Sequence, residues 1–132
     1  MSEENVEFVR NLYAMIDRGN AEAWDLLPRD FVIDLSRRLI DPVILRGPDE
    51  MRAFYRDLGE PWAGGAKLEV EELIDADHQV LVLIRFGGRG RVSGAETEMT
   101  FAAVYTIREG KIADGREYAS RDEALEADGL EE

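Results

Sequence analysis

The chain has 132 residues, 45% hydrophobic and 34% charged, with 29 acidic against 16 basic side chains and a formal charge of −13. That length suits a single domain over residues 1–132, and so apolar a composition is not that of a disordered chain. The negative balance argues against nucleic acid and anionic membranes as partners, and the lack of cysteine removes disulfides, thiolate zinc sites and cysteine nucleophiles. No apolar run approaches the ~20 residues of a membrane helix. The acidic Met-Ser-Glu-Glu start is unlike a secretory signal, so a cytoplasmic location is expected.

A first helix is expected from about Glu3 to Arg18, with Ser2 as cap, acids at its positive end and Gly19 as its stop. Its apolar residues, including Val6, Val9, Leu12, Tyr13 and Ile16, span more than one stripe, so the helix should touch both a sheet and a cavity. Asn20 caps a short second helix, Ala21 to Leu27, that stops at Pro28. Phe31 to Leu35 reads as a strand and Ser36 to Arg46 as irregular chain. Gly47-Pro48-Asp49-Glu50 opens a third helix, with Met51, Phe54, Tyr55 and Leu58 on one face.

From Ala66 the apolar period becomes two. Leu68, Val70 and Glu72 are expected on one face of a strand, and Asp75 to His78 as a turn. Gln79 to Phe86 follows as a long apolar strand, and Gly87-Gly88-Arg89-Gly90 as a bulge or bend. Strands from about Glu96 to Arg108 and from Lys111 to Tyr118 are joined by a tight Glu109-Gly110 turn. Ser120-Arg121-Asp122-Glu123 is a capping box for a short C-terminal helix. The sum is an α+β layer in which the helices cover one face of a curved sheet. Val80, Val82, Ile84 and Phe86 are then assigned to the other face, where they would need a second copy, so a homodimer through the sheet is expected.

This order of elements resembles the nuclear transport factor 2-like superfamily and, within it, the SnoaL-like branch. The landmarks are Phe8-Val9-Arg10-Asn11-Leu12-Tyr13, Asp17-Arg18-Gly19-Asn20, Arg46-Gly47-Pro48-Asp49-Glu50-Met51 with Phe54-Tyr55, Val104 to Ile112, and Arg116-Glu117-Tyr118. The resemblance implies a cone-shaped fold, with helices packed on the concave face of a curved, mainly antiparallel sheet and a pocket between them. It does not fix a function, because this fold serves isomerases, cyclases, epoxide hydrolases and transport factors alike. The Tyr, Asp and acid of ketosteroid-isomerase-like members fall at Leu12, Leu35 and Ala103, so that set is not retained. Of the limonene-epoxide-hydrolase-like set, the arginine falls at Arg85 and one acid at Glu117, while the remaining positions are Gly87, Ile33 and Leu35.

On that alignment strand parity turns Arg85 and Leu83 inward, together with Met99, Phe101 and Tyr105, Ile33 and Leu35, and Glu117. Arg85 and Glu117 are therefore the candidate catalytic pair, with Glu117 as acid or base and Arg85 holding a substrate oxygen. Tyr13, Trp24, Ile33, Leu35, Phe54, Trp62, Leu83, Met99, Phe101 and Tyr105 are the candidate walls of a site for a small, largely apolar molecule. A plain ion pair holding two strands in register is the competing reading of Arg85 and Glu117. His78 belongs to an exposed turn, and no cofactor or metal is implied. Cofactor-free acid–base chemistry of a polyketide-cyclase-like kind is the leading expectation. A ligand carrier and a sheet-mediated interaction module are the alternatives.

Overall fold

The computed structural model describes residues 2–37, 43–59, 67–76, 78–90 and 92–128. The expected wall residue Trp62 lies outside them, as do residues 38–42 of the chain expected to be irregular. Helix α1 (Ser2–Asp17) ends just before Gly19, whose φ of 70° is the left-handed stop. Asn20 accepts a hydrogen bond from the Glu22 backbone N–H at 2.9 Å, and the short helix expected after it forms as a 3-10 helix, Ala21–Leu26. The span between that cap and Pro28 is too short for α-helical bonding to establish itself, and the tighter winding takes over.

Strand β1 (Val32–Asp34) pairs antiparallel with β2 (Ile44–Arg46), a strand that three residues are too few to announce by periodicity. Helix α2 (Gly47–Gly59) begins directly after it, and Glu50 accepts from the Arg46 N–H at 2.8 Å. Strands β3 (Lys67–Ala76), β4 (Gln79–Arg89), β5 (Glu96–Arg108) and β6 (Lys111–Tyr118) form the meander. Helix α3 (Arg121–Asp128) closes the described chain. The sheet is six-stranded in the order β2-β1-β6-β5-β4-β3, curved and mixed, because β1 runs parallel to β6.

The β4–β5 register is unbroken from Gln79–Thr106 to Arg89–Glu96, so the glycine run carries no bulge. A bulge lies instead in β3, between Val70 and Glu72, and the β5–β6 register shifts between Thr106 and Ile107. The extra residue, Glu71, shifts the alternation, so Glu72 stands opposite Leu83 rather than sharing a face with Leu68 and Val70. Its carboxylate accepts from Arg121 of α3 at 2.6 and 3.2 Å.

The faces of β4 are the reverse of those expected. Val80, Val82, Ile84 and Phe86 lie inside, packed with Val9, Leu12, Tyr13, Ile33 and Leu35 beneath the helices. The other face carries Leu81 and the half-buried Leu83, joined to Ile74, Ala102, Val104 and Tyr118 and covered by Ala124 and Leu125 of α3. Helices thus cover both faces. The four residues offered as the reason for a sheet-to-sheet dimer are part of the chain's own core. Physically, both faces of this central strand are apolar, and Arg85 decides between them: a guanidinium is placed at far lower cost where water and carboxylates reach it.

Candidate functional site

Tyr105 on β5 stands directly opposite Gly115 on β6, and Ala103 stands opposite Glu117. Ile33 of β1 is the other neighbour of Gly115. All of these residues share the inner face with the core cluster. From above, Tyr13 of α1 reaches down until its hydroxyl is hydrogen-bonded to that of Tyr105, with ring centroids 6.1 Å apart and the rings tilted by 59°. Ile33, Leu35, Tyr13 and Tyr105 are all buried. Glu117, 7% exposed, is the one carboxyl side chain buried with them among the described residues.

This burial governs the chemistry. Desolvation pushes the Tyr13 phenol well above its usual range, and the Tyr105, Tyr55 and Glu117 oxygens add to the rise. Tyr105 is also pushed far up, chiefly by burial, which its hydrogen bond to Tyr13 partly offsets and to which Glu117 adds a lesser rise. Both phenols are therefore neutral donors and acceptors across the physiological range. Glu117 is the one carboxyl group that the described residues bury in this cluster, and so its candidate for proton transfer. The approach from the helices is aromatic: Trp24 stacks on Tyr55 at 5.1 Å, and Phe54 meets Tyr55 edge-on at 5.6 Å.

Of the expected site residues, Tyr13, Ile33, Leu35, Tyr105 and Glu117 meet on this face, and Trp24 and Phe54 pack on the same core. Phe101 is half-buried against that core, and Met99, 46% exposed, sits further out along β5. Arg85 and Leu83 do not belong to the cluster. Leu83 packs beneath α3, and the Arg85 guanidinium, on the outer face, pairs with Glu69 and Glu98 at 3.5 Å each and with Glu71. An Arg85–Glu117 pair across adjacent strands is thus ruled out by strand parity and by the sheet order, which sets β5 between their strands. Two further members of the cluster stand outside the candidate walls named from the sequence: Tyr55, read there as part of the apolar face of the third helix, and Gly115. Tyr55 is indistinguishable by spacing from a core aromatic, and Gly115 is informative only once its partner across the strand is known to be Tyr105.

Two open grooves formed by described residues lie away from this cluster. One, of about 630 Å³, runs between α3 and the Arg37 side chain, which stacks over Tyr118 at 5.0 Å. The other, of about 530 Å³, lies beside the β5–β6 turn, among Asp30, Arg108, Lys111 and Asp114. No helix among the described residues is long and apolar enough to cross a membrane.

A curved six-stranded sheet with two helices on its inner face is the nuclear transport factor 2-like architecture. Residues 9–115 match the SnoaL-like domain, and the chain belongs to that family. A nuclear transport factor 2-like protein from Burkholderia thailandensis E264 is 25% identical with a TM-score of 0.73, over 93% of this chain and 95% of its own. A protein from Jannaschia sp. CCS1, provisionally named a SnoaL-like polyketide cyclase, is 18% identical with a TM-score of 0.74, over 96% and 92% of the two chains. TerC, whose structure was determined in co-crystals with polyporic acid, is 17% identical with a TM-score of 0.73, over 93% and 96%. No curated protein matches the chain significantly.

Proposed function

We propose that this protein binds a small, largely apolar molecule against the inner face of its sheet, and that Glu117 performs acid–base chemistry on it without a cofactor. The observation that carries this reading is a carboxyl group buried in an apolar core beside two hydrogen-bonded phenols. A carboxyl buried beside neutral phenols is placed to exchange a proton with a molecule bound against this face. Tyr105 and Tyr13 would orient an oxygen of the ligand by hydrogen bonding, while the aromatic and aliphatic surroundings supply affinity. Cyclisation, isomerisation or hydrolysis of a carbonyl or ether compound fits these parts. The family, and the co-crystallisation of the similar TerC with polyporic acid, support a small organic ligand.

The test begins with recovery of a bound molecule from the purified protein by native mass spectrometry, followed by a turnover assay on it. Glu117→Gln, nearly isosteric, is expected to lower kcat by about 100-fold or more. An unchanged kcat overturns the acid–base role, and retention of the molecule without turnover by the wild type makes the protein a carrier.

A further inference from the structure

The Tyr105 ring owes its position to an atom that is missing on the neighbouring strand. A Cβ placed on Gly115 would lie 2.8 Å from both Cδ1 and Cε1 of Tyr105, and 3.3 Å from Cγ1 of Ile33. Carbon atoms without a bond between them do not approach to 2.8 Å, so no residue with a side chain fits at 115 while the ring stays where it is. The ring therefore leans along the sheet across β6, over the glycine, instead of standing upright from β5. From that position its hydroxyl meets Tyr13, and its phenol lies within the electrostatic reach of Glu117, two residues beyond Gly115 on the same strand face.

We propose that Gly115 is a positioning residue of the inner-face site: its bare backbone makes the slot in which the Tyr105 ring lies, and that slot brings the phenol to Tyr13 and beside Glu117. It follows that the slot also fixes how closely a ligand can approach Glu117, since an upright Tyr105 would stand between the ligand and the carboxyl group. This consequence for ligands rests on the acid–base reading of Glu117; the placement of the ring does not.

Glycine in a strand interior is ordinarily replaced by alanine with little loss or a small gain, because alanine restricts the unfolded chain. Here the sign should depend on the ring. Gly115→Ala is expected to lower the thermal midpoint by about 4 °C or more. In a Tyr105→Leu background the same change is expected to leave the midpoint unchanged or raise it. Proton NMR supplies a readout that general destabilisation does not move. The Gly115 Hα resonances should be displaced upfield by the ring above them, and Tyr105→Leu should abolish that displacement. A Gly115→Ala chain that fails to fold while the double variant folds also upholds the proposal. Equal losses in both backgrounds, failure of both variants to fold, or Gly115 Hα resonances indifferent to Tyr105→Leu would overturn it. A negative result for Glu117→Gln kinetics leaves these observables untouched, so the two readings fail separately.

Discussion

The two phenols show how a single hydrogen bond acquires weight through burial. Neither hydroxyl has water to fall back on, so deleting one leaves the other to find a partner inside the core, at a cost of about 1–3 kcal/mol. Tyr13→Phe and Tyr105→Phe should each destabilise the protein by that order in urea unfolding, and the double variant by clearly less than their sum. An additive result would mean that the hydroxyls do not act as a pair. The same burial sets an alkaline limit. The folded state holds its phenolic protons above the ordinary phenol range, so this contribution to stability is intact below about pH 10, where free tyrosines titrate. It is lost progressively as pH rises beyond that. Unfolding midpoints measured from pH 8 to 11 should fall above pH 10, and the fall should be smaller in the double Phe variant.

At the scale of elements, the last two strands of the meander were legible in the sequence to the residue, because the Glu109-Gly110 turn is a strong local signal, while β4 runs to Arg89, past the expected end at Phe86. The faces of β4 were not legible. Leu81 and Leu83 alternate with Val80, Val82, Ile84 and Phe86, so hydropathy alone does not say which set goes inside. An arginine two residues beyond the apolar pair Leu81 and Leu83 marks the wetter face, and position in a distant family alignment does not outweigh that cost. Nor could the sequence announce the bulge at Glu71, which depends on register with β4. The assignment is checked by truncation. Ile84→Ala is expected to cost about 2–5 kcal/mol, and Arg85→Ala, on its partly exposed cluster of glutamates, less than about 1 kcal/mol. Helix α3 offers a second check. Its Arg121 grips Glu72 and holds that carboxyl below its usual range, so the ion pair stabilises the folded state above the free-glutamate range and is lost as pH falls through the lowered value. Glu72→Gln should therefore flatten the decline in stability below about pH 4.5 without changing stability under more acidic conditions.

Over the whole molecule, charge and chemistry are divided between the two faces of one sheet. The outer face sets Arg85 among Glu69, Glu71 and Glu98 and is partly covered by α3, while the inner face buries the Glu117 carboxyl and two neutral phenols among apolar side chains. Charged groups free to meet water do so on the outside, and the group held away from it marks the candidate site. Glu117 and Tyr105 were legible in advance because the family alignment sets which residues of β5 and β6 turn inward; Gly115 was not, since its role depends on a contact between strands. The most direct measurement compares small-molecule retention by the wild type, Glu117→Ala and Arg85→Ala in native mass spectrometry after purification from the same extract. Wild type and Arg85→Ala should carry the same added mass, and Glu117→Ala should lose it. Loss from Arg85→Ala with retention by Glu117→Ala would contradict the account and move the site to the opposite face.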